Sequence, residues 1–317
     1  MFQLYKKRGF NELVSDTFDF FKIYGKNYFK NYFIINGGFL LILVVLLYFL
    51  MKIFFEGIFA GINNTQSGEN LLLNNLTSNL PILIIGGITI LVLIIVISII
   101  NYSFPVAYLS LIESKKEITT KNLIGFIKSK LGKSILFFLA SLVTFVPIFF
   151  IAFALLIALM FVIIGFPLII IVLPGIISWI SLSYYDYIST ENSYLVSLIN
   201  GFSLVLSKFW SIISSTVIML IIVQVVVGIV YFVPYIIGVA SVFTNPEAMQ
   251  GNSQQTLEAL SFITIMMTIA MIVSILFNYM LQNLILINQG IIYYSSKEEK
   301  ENNVIKNDID LIGTDSE

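Results

Sequence analysis

The chain has 317 residues, of which 58% are hydrophobic and 11% are charged, and its formal net charge is -1. An average soluble domain contains about 25% charged residues, so a soluble globular fold could not hide this much apolar surface. Because the chain has no cysteine and no histidine, it can form no disulfide, thiolate nucleophile or zinc site of the cysteine and histidine type. The composition predicts an all-α polytopic membrane protein.

Six apolar segments are long enough to cross a bilayer core, which takes about 20 residues per helix. They lie near residues 33–55, 81–104, 134–160, 167–185, 209–234 and 259–283. The third and fourth come from one run of 52 uncharged residues, Ser134 to Tyr185. A tight turn at Gly165-Phe166-Pro167 is expected to divide this run, because proline interrupts a helix and glycine tolerates turn conformations. A re-entrant loop is the alternative to two crossings.

The domain organisation follows from these segments. We expect residues 1–294 to form a single transmembrane domain with six helices arranged as three hairpins. Residues 295–317 are polar and acidic, and a segment with so little apolar surface to bury is expected to be a cytoplasmic tail that is disordered or contacts a partner.

The basic residues that flank the predicted spans lie almost entirely on one side of the membrane. They precede span one, separate spans two and three, separate spans four and five, and follow span six, whereas the loops Gly57 to Asn79 and Thr244 to Glu258 contain no basic residue. By the positive-inside rule both termini are cytoplasmic. Lys52 is the exception. It lies at the outer end of span one, so we expect its side chain to extend to the lipid headgroups and anchor the helix, rather than to form a functional site.

A segment with helical periodicity and a mixed apolar and charged surface precedes each pair of spans. These segments are Phe10 to Tyr28, Thr120 to Leu131, and Thr190 to Lys208. We expect each to form an amphipathic interfacial helix along the inner leaflet. The first and third share a Leu-Val-Ser sequence, beginning at Leu13 and Leu195, which suggests a parallel repeat of three units. The alternative is that short matches of this kind arise by chance.

Several short patterns along the chain carry a family resemblance. They are Phe10-x-x-Leu13 with Thr17-Phe18, a basic and aromatic entry into span one, Ser181-x-x-Tyr184-Tyr185, Leu195-x-x-x-Ile199-x-x-x-Ser203-x-x-Leu206, and Phe209-Trp210. With these patterns the chain resembles uncharacterised six-span bacterial membrane proteins, which are related to the membrane domain fused to some glycerophosphodiester phosphodiesterases. The resemblance covers most of the chain through span five. It implies a bacterial inner-membrane location and six helices, with the activity undefined.

The predicted spans contain few groups that could carry chemistry. No charged residue lies deep within them, so metal ligation, general acid-base catalysis and coupled proton transport lack their usual groups. We therefore expect no enzymatic activity and no cofactor. The remaining polar candidates are amides: Asn36, Asn101, Gln224, Asn278, Gln282 and Asn283. One interpretation is a polar pocket that opens to the cytoplasm and holds a lipid headgroup or a peptide. The favoured alternative is that these amides simply hydrogen-bond between helices.

A second candidate site is basic. Its lysines could bind anionic lipid at about 1 kcal/mol per residue near the surface, although the positive-inside signal alone would also explain them. They are Lys115, Lys116, Lys121, Lys128, Lys130 and Lys133.

Two functions remain in competition. The first is a non-enzymatic protein that organises membrane lipids or other envelope proteins, and the rival is a transporter or lipid-handling permease with an uncharged polar pathway. We expect no nucleic-acid partner for either. A solvent-connected cavity lined by Asn101, Asn278 and Gln224 would favour transport, whereas amides paired across closed helix contacts would favour the organising role.

Overall fold

The computed structural model describes residues 2–63, 73–74, 76–161, 163, 165–243 and 253–301, and the chain is all-α across these residues, without a strand. Seven helices of at least 14 residues occur in this part of the chain. They are α1 (Phe10–Asn63), α2 (Leu80–Glu113), α3 (Thr120–Met160), α4 (Gly165–Ser189), α5 (Tyr194–Ser207), α6 (Phe209–Phe243) and α7 (Ser253–Glu301). The centres of the two predicted outer loops, and the predicted tail beyond Glu301, lie outside the described residues.

Six of these helices, all except α5, are long and apolar enough to cross a membrane. Each of the six predicted spans lies within one of them, so the prediction of an all-α chain with six such helices is confirmed. Several helices exceed the membrane thickness. With 54 residues, α1 is about 80 Å long, whereas a hydrocarbon core is about 30 Å thick.

The predicted interfacial helices differ in how they connect to the spans. In α1 and α3 the amphipathic segment continues into the span without a break, and only the third segment forms a separate helix, α5, which ends before Lys208. No proline interrupts α1, so nothing in its sequence forces a bend at the expected membrane surface. Thr119 and Ser193 cap the starts of α3 and α5 through their side-chain oxygens.

The start of α1 packs inside the protein. Its buried face includes Phe20 and Tyr28, and the Tyr28 ring centroid lies 4.9 Å from those of Phe104 and Tyr108 in α2. Aromatic side chains of α2 therefore cover this part of α1, since edge-to-face ring packing accommodates several large side chains in one layer. The expected location of the segment along the inner leaflet stays a prediction.

The turn between α3 and α4 precedes the predicted position. Gly165 and Pro167 belong to the first turn of α4, where proline is tolerated because the first helical N–H groups have no partner within the helix. The described connecting residues include Ile163, whose φ of 68° is left-handed. A Cβ on Gly165 would lie 2.6 Å from the backbone nitrogen of Met160. Close backbone approach, rather than a turn conformation, therefore explains the glycine.

The Leu-Val-Ser match does not extend to the structure. Leu13 is 1% exposed, whereas Leu195 is 67% exposed. In addition, α1 continues through Lys26, whereas α5 ends just before Lys208, the lysine at the same distance from its Leu-Val-Ser sequence. The two segments present opposite faces to the protein, so the shared letters do not mark a structural repeat at these positions.

The chain forms two compact units. The first unit comprises Met1–Ile35, Ile99–Ile222 and Gln282–Glu317, and it includes all of α3, α4 and α5. The second unit comprises Asn36–Ser98 and Val223–Leu281. Helices α1, α2, α6 and α7 contribute segments to both units, so sequence order alone does not separate them.

Candidate functional site

The first unit brings three of the predicted amides together, Asn101 of α2 with Gln282 and Asn283 of α7. The Asn101 side-chain nitrogen donates to Gln282 Oε1 at 2.8 Å. Its oxygen accepts from the Tyr32 hydroxyl at 3.0 Å and from Asn283 Nδ2 at 3.2 Å. Tyr28 in turn donates to Asn283 Oδ1 at 2.7 Å. These amides and hydroxyls satisfy one another, and the network joins α1, α2 and α7.

A second polar network lies further along α7, beyond the predicted end of span six. The Asn288 side-chain nitrogen donates to Thr17 Oγ1 at 3.0 Å and to Ser215 Oγ at 2.9 Å. Gln289 Nε2 donates to Thr216 Oγ1 at 2.8 Å. All five side chains are buried. Because a buried polar group is costly unless hydrogen-bonded, this network selects the rotation at which α7 meets α1 and α6.

The end of α4 carries a buried carboxylate. Asp186 Oδ2 accepts from Asn192 Nδ2 at 3.0 Å and from Asn200 Nδ2 at 3.1 Å. Nearby, α5 approaches α4 closely, because a Cβ on Gly201 would lie 2.7 Å from the backbone nitrogen of Ser183. Asp186 thus closes the α4–α5 connection, and its contacts give it a structural role.

Arg8, one of the basic residues that precede span one, is 1% exposed. Its Nε donates to Asp16 Oδ2 at 2.8 Å, and its Nη1 donates to the carbonyl of Leu4 at 2.8 Å. Burial lowers the pKa of the Arg8 guanidinium from its ordinary value, while hydrogen bonding and attraction to Asp16 act in the opposite direction. Arg8 therefore holds the residues before α1 against the protein, and Lys208 supports it by donating to the Arg8 carbonyl at 2.9 Å.

The predicted tail begins as part of α7. The helix continues to Glu301, and Ser295, Ser296 and Glu298 are buried. Ser295 Oγ accepts the Arg8 backbone N–H at 2.9 Å. The first residues of the predicted tail thus extend α7, and Ser295 contacts the beginning of the chain. The division of the chain at residue 295 stays a prediction.

The six predicted lysines fall into two groups. Lys115, Lys116, Lys121 and Lys128 are exposed around the end of α2 and the start of α3. Lys130 and Lys133 are partly buried beside Glu191, with Nζ to carboxylate oxygen distances of 3.8 and 3.1 Å. The exposed group can reach a negatively charged surface, while the other two are already paired within the protein.

The second unit contains the other three predicted amides. Asn36 is fully buried, and Asn278 lines a cavity of about 280 Å³ between apolar side chains of α1, α2 and α7. Gln224 is exposed on α6. It is not among the side chains that line the described cavities of this unit. The structure thus leaves Gln224 facing outward from the second unit.

A second cavity in this unit, of about 270 Å³, contains the lysine predicted as an anchor. Its lining residues come from α1 and α7: Tyr48, Lys52, Phe55, Ser261, Thr264, Ile265 and Thr268. One cation and several hydroxyls in an otherwise apolar wall are suited to an amphiphilic ligand.

Sequence reasoning missed Asn288, Gln289 and the buried role of Arg8. A usable signal was present, since Asn288-Gln289 places a second adjacent amide pair six residues after Gln282-Asn283. The residues between these pairs are apolar, so both pairs lie in one continuous apolar helix. Extending span six past residue 283 would have placed the second pair inside the protein.

Two further findings concern chemistry and relatives. Within the described ranges, no group of three or more acidic residues is arranged to hold a metal ion. No family model, curated protein or solved structure matches the chain.

Proposed function

We propose that this chain is a non-enzymatic integral membrane protein that organises lipids and other membrane proteins, located in the bacterial inner membrane with both termini in the cytoplasm. The location follows from the sequence resemblance and the lysine distribution. The observation that carries the organising role is Gln224, an exposed amide close to the middle of the fifth predicted span.

The surroundings of Gln224 are apolar and outward-facing. Ile221, Val225 and Ile229 on the same helix are exposed, and a Cβ built on Gly228 would meet nothing within 4 Å. A primary amide that faces hydrocarbon has no partner for its hydrogen bonds, which is unfavourable. Pairing with a polar group on a neighbouring helix relieves this cost, and a glycine one turn away lets that helix approach. This face of α6 is therefore suited to a transmembrane helix of a partner protein.

The other amides support the same interpretation by contrast. Asn101, Gln282 and Asn283 hydrogen-bond to one another and to tyrosines within the first unit, so their donors and acceptors contribute to helix association. The exposed lysines Lys115 and Lys128 supply the lipid contact, since each lysine near an anionic surface contributes about 1 kcal/mol.

A photo-crosslinking amino acid at position 224 tests the partner surface in native membranes. We expect a discrete crosslinked adduct from position 224 and none from position 236, an equally outward position on α6. Gln224→Leu should reduce recovery of the same adduct from a crosslinker at neighbouring position 225, whereas Gln224→Asn should retain it. A uniform smear from both 224 and 236 would contradict the proposal, because it would show contact with bulk membrane components only.

The proposed orientation has its own test, for which the cysteine-free chain is well suited. Single cysteines at positions 65 and 250 should react with an impermeant thiol reagent from outside. Cysteines at positions 118 and 300 should react only after permeabilisation. Reaction at position 118 in intact cells would overturn the orientation.

The rival function, a lipid-handling permease, is favoured by the cavity that Asn278 lines in the second unit. Purified protein in liposomes with a fluorescent lipid in both leaflets separates the two functions. Under our proposal, a membrane-impermeant quencher bleaches only the outer leaflet, as in protein-free liposomes. Bleaching that exceeds this level, and that Asn278→Leu slows, would favour the permease.

A further inference from the structure

The face of α6 that carries Gln224 continues along the helix within the second unit. Its residues recur at intervals of four, three and four: Gln224, Gly228, Tyr231 and Tyr235. At about 100° per residue, this spacing keeps them on one side of a helix. The tyrosine rings agree with this, because they stack with centroids 6.3 Å apart and planes 11° apart. We call these four residues, which are exposed or half-buried, the Gln224 stripe.

The amide at the start of the stripe differs from other polar groups on the outside of the apolar helices. Gln224 lies at the middle of the apolar helix Phe209–Ala240. On α2, the exposed Thr89 donates its hydroxyl to the carbonyl of Ile85 at 2.8 Å, so its own helix satisfies it. No hydrogen bond of the Gln224 side chain occurs within the part of the chain that the structure describes. Its two N–H donors and its acceptor therefore require a partner from outside this chain.

Gly228 gives a second helix room to approach that amide. A Cβ on Gly228 would meet nothing within 4 Å, whereas a Cβ on Gly238 of the same helix would lie 3.1 Å from Met266 Cβ of α7. Gly238 thus serves packing inside the second unit, and Gly228 does not. Glycine is unfavourable in a helix interior, but in membranes it lets two helix backbones come close together.

A second copy of this chain satisfies the amide without any further requirement. Copies with the same lysine distribution insert in the same orientation, so each places Gln224 at the same depth. In a parallel pair related by a two-fold axis along the membrane normal, each residue of the stripe faces its own counterpart. Because a primary amide both donates and accepts, two facing Gln224 side chains can hydrogen-bond to each other. A different protein would need a polar residue at that same depth.

We propose that this chain forms a parallel homodimer in the membrane through the Gln224 stripe of α6. The inference rests on the partner surface of the proposed function and names a second copy as its occupant. The two Gln224 amides pair across the axis, the backbones approach at Gly228, and the tyrosine rings of the two copies pack beyond it. A single polar layer in an otherwise apolar contact also fixes the register of the two helices.

Subunit counting in liposomes tests the homodimer. The full chain, with one fluorophore on a cysteine introduced at position 300, is reconstituted over a range of protein-to-lipid ratios, and bleaching steps are counted. We expect the two-step fraction to rise with protein density. Gln224→Leu should weaken association about tenfold, the effect of losing a hydrogen-bonded polar pair between membrane helices. Gln224→Asn should retain association because it keeps the amide. Single-step bleaching at every density would overturn the proposal.

The glycine provides a second, independent variant with a matched control. Gly228→Ile should weaken association because its side chain holds the two backbones apart. Gly87→Ile of α2 is the control, since Gly87 is exposed and a Cβ there would also meet nothing within 4 Å. It carries the same cost within its helix but lies outside the stripe, so association should be unchanged. Equal effects of the two substitutions, or unchanged association in Gln224→Leu, would contradict the proposal.

Disulfide formation between copies tests which face of α6 makes the contact. In native membranes, oxidation of the Tyr231→Cys protein should give a covalent dimer, because the two introduced thiols face each other. Val233→Cys should not, although Val233 is exposed, since two residues along a helix lead to nearly the opposite side. A dimer from Val233→Cys alone would overturn the assignment of the stripe.

The photo-crosslinker at position 224 distinguishes failure of this inference from failure of the proposed function. An adduct with the mass of two chains supports both. A discrete adduct of any other mass would overturn the homodimer and leave the partner surface standing. A uniform smear would overturn both, because lipid alone would then cover the stripe.

Discussion

The two compact units are both built from long apolar helices, but the side chains between those helices differ. The first unit buries a dense set of aromatic rings and polar side chains that hydrogen-bond to one another, such as Tyr28 with Asn283 and Asn101 with Gln282. The second unit buries few side chains, mostly aliphatic, and leaves two cavities between its helices. Apolar composition alone produces loose helix association, because lipid tails are as apolar as leucine. Polar and aromatic pairing produces a specific arrangement.

The largest expected difference comes from paired glycine substitutions. Gly201→Ala should destabilise the protein by about 3 kcal/mol, because the new methyl group meets the backbone of Ser183, which cannot move aside. Gly86→Ala should change stability by less than about 1 kcal/mol, since its methyl meets the end of the Leu50 side chain, which can adopt another rotamer. Unfolding in detergent, followed by circular dichroism, measures both.

Gly125→Ala is the control for these substitutions, because a Cβ there meets nothing within 4 Å. It should be neutral or stabilise the helix by up to about 1 kcal/mol. Equal losses for Gly201→Ala and Gly86→Ala would remove the contrast between rigid packing in the first unit and adjustable packing in the second.

The amides provide the next contrast. Asn101→Leu should cost about 2 kcal/mol, because it leaves the Tyr32 hydroxyl and the Asn283 amide without their shared acceptor in a buried site. Asn278→Leu should cost less than about 1 kcal/mol, since the side chain borders a cavity with apolar walls. The same unfolding measurement applies, and a larger loss for Asn278→Leu would indicate that its amide contacts matter more than those of Asn101.

The smallest effect concerns acid. Glu191 is exposed, and hydrogen bonding and attraction to Lys133, with a further contribution from Lys130, lower its pKa from the ordinary value of 4.5. A lowered pKa in the folded state means that the pair stabilises the protein fully above pH 4.5, and that this contribution is lost as the pH falls through the lowered value. We expect a slight fall in unfolding temperature over this acidic range.

Glu191→Gln should remove that part of the pH dependence, whereas Glu117→Gln, at another exposed acid, should preserve it. Unfolding temperatures measured between pH 6 and pH 3, at low and at high salt, give the comparison, because salt screens an exposed pair. An unchanged pH profile in Glu191→Gln would assign the acid sensitivity to other groups.

Much of the architecture could be predicted from the sequence for a simple reason. Whether a segment of about 20 residues is apolar enough to span a membrane depends on that segment alone. The same holds for the exposed lysines around Lys121 and for the amphipathic segment predicted to begin at Thr120, which is the first residue of α3. Composition and order along the chain therefore predict the six apolar segments, the all-α class and the exposed lysines around Lys121.

Tertiary structure decided which side chains meet. Asn101 pairs with Gln282 rather than with Gln224, and Arg8 is buried against Asp16 rather than exposed at the membrane surface. The positions of these partners depend on how each helix is rotated about its axis and where its neighbours approach most closely. Contacts far apart in the chain, such as that of Arg8 with Ser295, determine both. Local patterns cannot encode that rotation, because every face of a nearly uniformly apolar helix has the same hydropathy.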